Sequence, residues 1–229
     1  MGNASSDLGQ ISGLKRIENF SRDEMGDLCM EWTHAVYPHD EIYGPYCTIQ
    51  EYIDCPPDTV FEYLADPRSL EEWTWSTRGL EPTEDPDLLV GWDRLVDDTR
   101  IYCRTTSNVI ARTVDYHCAW DQGDDLWMIY LMRVVPAELV LGKQGSVVIW
   151  SNCHHPYYDN NPYPELAPPE REVWVGDLWP FFYAGHVVEM ENLKKILEQR
   201  HARRETIRPW VGSEPAGAVL GRVAASEWR

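Results

Sequence analysis

From residue 46 onward the chain alternates. Cys47, Ile49, Glu51, Ile53 and Cys55 fall on one side of a period-two pattern, with Thr48, Gln50, Tyr52 and Asp54 on the other. That pattern predicts a strand from Tyr46 to Cys55. Pro56-Pro57 stops it, and the period changes: Val60, Phe61 and Leu64 form the stripe of a short helix from Asp58 to Ala65. Asp66-Pro67 breaks that helix. Ser69, with Glu72 three residues on, has the form of a capping box for a second helix reaching about Trp75. Six further strand-like segments follow, at 79–83, 88–95, 99–106, 111–120, 126–136 and 146–154, separated by Asp-Pro, Asp-Asp, Asn, Gly-Asp-Asp and Gly-containing turns. Their spacing fits successive antiparallel hairpins. A loop rich in Pro and aromatics, 155–179, leads into a long helix from Pro180 to Arg203, where Val187, Met190, Leu193 and Leu197 keep helical period.

Ahead of the first strand, residues 1–12 read as unstructured, Asp23–Trp32 as an amphipathic helix capped by Ser21, and residues 37–45 as a connector. After Arg208 the chain reads as a loose tail. The organisation expected is an amino-terminal extension (1–44), one α+β domain (45–208) and a carboxy-terminal tail (209–229). Alternating strands have two faces, and a single long helix must bury its stripe against one of them.

The stretch I-D-C-P-P-D-T-V-F-E-Y-L-A-D-P-R-S-L-E-E-W, residues 53–73, resembles the opening motif of the SRPBCC superfamily, which contains START, Bet v 1-like and polyketide cyclase/dehydratase proteins. The resemblance runs over residues 44–203. It implies a helix-grip fold: a curved antiparallel sheet wrapped around the long carboxy-terminal helix, two short helices after the first strand, and a deep cavity between helix and sheet. Its members include cyclases, aromatases, hydratases, carriers and regulators, so the fold alone does not choose a function. The amino-terminal extension and the 155–179 loop depart from the minimal pattern, and both are expected over the cavity mouth.

Charge narrows the partners. The 229 residues hold 38 acids against 20 Lys and Arg, a net charge of −18. A chain of that charge repels polyanions, which excludes a nucleic-acid binder and an anionic membrane surface. The imbalance is local: residues 1–193 carry 34 acids and 12 bases, whereas residues 194–229 carry 4 acids and 8 bases. A cationic end on the long helix can dock on an acidic body. No apolar run reaches the roughly 18 residues that cross a membrane. Met1–Ser6 matches the myristoylation pattern formally but lacks a polybasic neighbour. The six cysteines show no CxxC spacing and follow no secretory signal, so they read as reduced and core-filling, in a cytoplasmic protein. Eleven Trp and twelve Tyr beside four Phe suit an apolar pocket that still offers hydrogen bonds.

Within that frame the candidate catalytic residues are Glu51, Tyr102, Arg104, His117, His154 and His186. Glu51 shares the face of Ile53 and Cys55; on a cavity wall it would be desolvated and suited to acid-base work, unless the wall turns to solvent there or an Arg neutralises it. Tyr102, Arg104 and Thr106 share one face of their strand, and Asp115 and His117 share one of the next. Both faces of these strands are mixed, so polar groups are expected inside whichever face turns inward. His154-His155 and His186, with Glu189 one turn on, form the best histidine group. A metal site from His154 or His155, His186 and Glu189 is the alternative, without any H-E-x-x-H spacing behind it. The preferred reading needs no metal and no cofactor. Paired C-x-H and C-x-x-H motifs, Walker loops and G-x-S-x-G are absent from the sequence, which sets aside Rieske, nucleotide and serine-hydrolase chemistry.

Trp73, Tyr116, Trp120, Tyr130, Trp150 and Met190 are the candidate ligand-binding positions. The function expected is a biosynthetic enzyme of secondary metabolism that binds a hydrophobic, aromatic or polyketide-like intermediate and promotes cyclisation, dehydration or a related acid-base step. The alternative is a non-catalytic carrier for a hydrophobic small molecule. Oligomeric state is open, with a homodimer compatible.

Overall fold

The computed structural model describes residues 7–36, 45–96, 99–166 and 173–209. The Met1–Ser6 pattern, nearly all of the 37–45 connector, the Asp97-Asp98 turn and the tail beyond residue 209 lie outside the described residues.

Seven strands form one antiparallel sheet: β1 (Tyr46–Ile53), β2 (Thr77–Pro82), β3 (Leu88–Asp93), β4 (Thr99–Asn108), β5 (Thr113–Trp120), β6 (Met128–Pro136) and β7 (Ser146–Cys153). Their order is β1-β7-β6-β5-β4-β3-β2. Every neighbour except β1–β7 is a sequence-adjacent hairpin, as the turn spacing predicts. The exception arises because two helices, α2 (Pro57–Ala65) and α3 (Leu70–Trp73), carry the chain from one edge of the sheet to the other. Pro57 opens α2, where its missing N–H costs nothing, and Val60, Phe61, Tyr63 and Leu64 are buried beneath it.

The expected capping box at Ser69 does not form. Ser69 has helical dihedrals and makes no cap bond; its hydroxyl accepts instead from Trp73 Nε1 at 3.3 Å. Glu72 turns inward, taking the Tyr63 hydroxyl at 2.6 Å and Arg200 at 2.8 Å. Buried partners outbid a local cap, and the cap role passes to Asp66, which accepts the Arg68 N–H at 3.1 Å.

The long helix, α5, spans Phe182–Ala202. It starts later than expected because Pro180 belongs to a preceding 3-10 segment, Val175–Phe181. Met190, Leu193, Ile196 and Leu197 press into the main core with the inner face of the sheet. Each such aliphatic side chain contributes about 1.5–3 kcal/mol on full burial. Ala184 and Val188 face the other way, into a second cluster with Met25 and Cys29 of α1 (Arg22–Val36). Packing on two sides explains why polar Asn192 and Arg200 are also buried. Val187, assigned to the stripe from the sequence, is only half-buried.

That second layer corrects the reading of residues 1–12 as unstructured, for the part described. Asp7–Gln10 form a 3-10 turn, and Leu8, Ile11 and Leu14 enter the core. Asp7 pairs with Arg200 at 2.6 Å. Lys15 exchanges two bonds with Asn192: its N–H donates to Oδ1 at 3.0 Å and its carbonyl accepts from Nδ2 at 2.8 Å. The extension is a strap across the back of α5. Ser21 caps α1 as expected, and Glu24 returns the bond to the Ser21 amide. A short helix missed in the sequence, α4 (Ala137–Leu141), fills the β6–β7 connection and ends on Gly142 in the left-handed region.

Candidate functional site

The sheet's inner face is set by its register. Tyr116 lies opposite Tyr130, and Tyr130 opposite Asn152. One step along, Val114, Met132, Trp150 and Ile49 form the next row across four strands. Ile101, Cys103, Cys118 and Trp120 continue this face toward β3. The faces are therefore unmixed where the sequence suggested mixing: Tyr102, Arg104 and His117 stand on the outer side, Arg104 opposite His117. Arg104 pairs there with Asp85 at 2.7 Å. The structure does not bring these three to the interior. Glu51 does face α5, but Lys194 reaches it at 2.6 Å and also donates to the Tyr52 carbonyl. The carboxylate is neutralised, by a lysine of the long helix rather than by the arginine expected.

The interior polar groups lie elsewhere. His186, on the first turns of α5, stacks on Trp150 with ring centroids 4.1 Å apart and planes at 30°. Tyr130 meets the imidazole edge-on at 5.8 Å, and Phe182 covers it at 5.2 Å. Burial lowers the imidazole to about 3, so His186 is neutral at physiological pH. Trp73 stands edge-on to Trp150 at 5.4 Å. The Tyr116 hydroxyl is spent on the Leu64 carbonyl at 2.6 Å, and the Trp120 indole on Asp93 at 3.0 Å. Met190 is buried in the same core.

Over this end the described parts of the 155–179 segment pack onto the aromatic core. Pro156–Tyr158 and Val175–Phe181 are 3-10 turns packed on each other. Trp174 stacks on Trp127, and its indole donates to the Tyr157 carbonyl at 2.7 Å. Tyr158 packs against Trp179 and Phe182. A Cβ on Gly176 would sit 1.5 Å from the Tyr158 carbonyl oxygen, so only glycine permits this contact. His154 belongs to this packing, edge-on to Trp179 at 4.4 Å and 3.3 Å from Asp159. It does not converge with His186, and the alternative metal set is not assembled. Among the described residues no group of three or more His, Cys, Asp or Glu is placed to hold a metal ion.

The inner row ends in polar atoms that lack well-formed hydrogen bonds. Trp150 Nε1 is buried without a hydrogen bond, and both amide atoms of Asn152 and the Tyr158 hydroxyl make no well-formed one, the Tyr158 hydroxyl reaching only the side chains of Tyr130 and Asn152. Burial drives the Tyr130 and Tyr158 hydroxyls above their ordinary range. Each unsatisfied polar group costs about 1–3 kcal/mol, and their concentration on three neighbouring residues calls for a partner. Tyr130 keeps accessible surface despite its depth. Asn152 and Tyr158 were not among the sequence candidates. Asn152 was legible only as the continuation of the Trp150 face, and Tyr158 lay in a segment without periodicity.

No family model matches the sequence, and no curated protein matches it. Solved structures do resemble it. The Zhui aromatase/cyclase from Streptomyces shares 17% identity over 68% of this chain and 94% of its own, with a TM-score of 0.46. The di-domain ARO/CYC BexL shares 14% over 65% of this chain and 45% of its own, at 0.45. A START superfamily protein from Mycobacterium smegmatis shares 14% over 70% and 99%, at 0.42. The seven-stranded antiparallel sheet gripping a carboxy-terminal helix is the helix-grip arrangement expected from residues 53–73. No helix among the described residues is long and apolar enough to cross a membrane.

Proposed function

We propose that the space between the inner sheet face and α5 binds an uncharged, hydrophobic aromatic or polyketide-like molecule, and that the protein promotes its cyclisation or dehydration. The observation that supports this reading is the cluster of poorly satisfied buried polar atoms on Trp150, Asn152 and Tyr158 inside an otherwise aromatic wall. A planar ligand lies alongside Tyr130, which keeps accessible surface, and its oxygen substituent takes the indole and carboxamide donors. His186, neutral and held by Trp150 and Tyr130, serves as a hydrogen-bond donor to a carbonyl rather than as a cationic acid. Closure of the Tyr158 cover keeps water from the reacting carbon.

A carrier is the second reading, and one observation favours it: Glu51 and Arg104, the charged candidates, are both consumed by ion pairs. The test separates the two. Native mass spectrometry of the purified protein, compared with its denatured spectrum, should show a small-molecule adduct that is lost on denaturation. Anthraquinone should quench the tryptophan fluorescence saturably. Failure of both results overturns the binding site; binding without any turnover of the recovered ligand leaves a carrier, and turnover unchanged in His186→Ala removes His186 from catalysis.

A further inference from the structure

Three sulfur atoms lie in one row across the sheet. Cys103 on β4 stands opposite Cys118 on β5, and Cys118 stands opposite Met128 on β6. Residues opposite one another share a face of the sheet. Here it is the inner face, and all three side chains are buried in the main core. The sheet's other two cysteines have no such neighbours: Cys47 stands opposite Asn152, and Cys153 opposite Tyr46.

The phase of the backbone hydrogen bonds decides how close the sulfurs come. Between β4 and β5 the Asp121 N–H donates to the Arg100 carbonyl at 3.0 Å. Between β5 and β6 the Val134 N–H donates to the Arg112 carbonyl at 3.0 Å. Bonded and non-bonded pairs alternate along an antiparallel ladder, so Cys103–Cys118 is a non-hydrogen-bonded pair and Cys118–Met128 a hydrogen-bonded one. Cα atoms stand about 4.5 Å apart in the first kind, with side chains at their closest, and about 5.5 Å apart in the second. The two thiols accordingly meet: Cys118 is hydrogen-bonded to Cys103. Met128 brings its thioether on a flexible side chain with three rotatable bonds. Harder ligands are not at hand. Leu89 stands on the other side of Cys103. Asp93, the carboxylate nearest in charge to Cys118, is held by Ser76 Oγ, the Leu95 N–H and Trp120 Nε1.

We propose that Cys103, Cys118 and Met128 form a binding site for one soft monovalent cation, Cu(I), on the inner face of the sheet. The ion lies between the two thiolates, the Met128 thioether is the third donor, and both thiol protons leave to solvent. Thiolate and thioether sulfur in low coordination number suits Cu(I). Zn(II) needs four ligands, and Ca(II) or Mg(II) needs six or more oxygens, so this donor set selects against all three. The site stands apart from the reading of the Trp150 and Asn152 row and does not depend on it.

The test is anaerobic competition for Cu(I) with the coloured chelator bicinchoninate. The wild-type protein should withdraw one Cu(I) per chain, and X-ray absorption of the loaded protein should show three sulfur neighbours. Cys103→Ala/Cys118→Ala keeps the four other cysteines and should leave the chelator complex intact. Met128→Leu conserves volume and should weaken binding about tenfold, with two sulfur neighbours remaining. Near-ultraviolet circular dichroism of the metal-free variants checks that each is folded. Cys103→Ala alone, a smaller change to the core, should lose the ion as well and carries the comparison if the double variant does not fold. Failure of the wild type to compete overturns the site. Undiminished uptake by the cysteine variants does the same, because the ion then sits adventitiously on other thiols. Unchanged affinity in Met128→Leu overturns the three-sulfur assignment.

Discussion

His186 lies flat against Trp150, centroids 4.1 Å apart, and Glu189 follows it by one helical turn. The two are buried with opposite consequences. His186 falls from 6.5 to about 3 and Glu189 rises from 4.5 to about 8. Between pH 3 and 6.5 the unfolded chain binds the proton that folded His186 refuses, so this contribution is complete above 6.5 and is lost on acidification toward 3. Between 4.5 and 8 folded Glu189 holds a proton that the unfolded chain releases. That contribution is complete below 4.5 and is lost as pH rises through 8. The two slopes cancel from about 4.5 to 6.5 and leave a fall of up to about 1.4 kcal/mol per pH unit from there to 8. Urea unfolding at stepped pH should show that alkaline decline in the wild type and its absence in Glu189→Gln.

Poorly satisfied polar atoms trade stability for binding. Replacing Asn152 with Leu, or Tyr158 with Phe, removes groups that fold without a well-formed hydrogen bond, so the ligand-free protein should be unchanged or up to about 2 kcal/mol more stable. The same variants should weaken binding of the recovered ligand at least tenfold. A large loss of stability in both would mean that these atoms are paired within the protein in solution.

Gly176 is where the cover meets its base. Gly176→Ala forces a Cβ onto the Tyr158 carbonyl, and the local backbone must withdraw. The expected result is faster ligand release and more rapid hydrogen exchange across residues 156–158 and 175–181, with the exchange of β4 and β5 unaltered. Stopped-flow displacement and exchange mass spectrometry measure the two effects separately.

Arg200 is buried with Asp7 and Glu72. Burial opposes its charge, but the two carboxylates outweigh burial and hold it ionised. Glu72→Ala leaves the guanidinium with Asp7 as its one carboxylate and strands the Tyr63 hydroxyl, so it should cost about 1–3 kcal/mol. A cost below about 1 kcal/mol in chemical denaturation would show that water repairs the gap.

The strands were readable because their period is two and their turns carry Gly, Asp and Asn; all seven lie within a few residues of expectation. The face assignment of β4 and β5 was not. Tyr102, Arg104 and His117 look chemically rich, yet Cys103, Tyr116 and Cys118 are the inward residues. Sequence alone does not say which of two mixed faces meets the helix, and register across β3 to β7 settles it. Ser69 and Glu72 matched a capping box, but Glu72 had a stronger use 128 residues away. Long-range pairing of that kind leaves no periodic trace. His186, Trp150 and Tyr130 were legible as candidates because each sits in an element with clear phase. Asn152 and Tyr158, the two other ends of the polar cluster, were missed because nothing local marks an amide or hydroxyl that lacks a well-formed hydrogen bond.

The strap of residues 7–15 across α5 has a kinetic meaning. Asp7 and Arg200 are separated by 193 positions, Lys15 and Asn192 by 177. These contacts close only once nearly the whole described chain is present, so the hydrophobic face of α1 and the sheet edge at β1 stay uncovered during synthesis until α5 arrives. Folding of such non-local topology is slow and exposes association-prone surface. Removing residues 1–15 should therefore lower the yield of soluble protein more steeply as expression temperature rises, because the last closing step loses the contacts that make it irreversible on the timescale of aggregation.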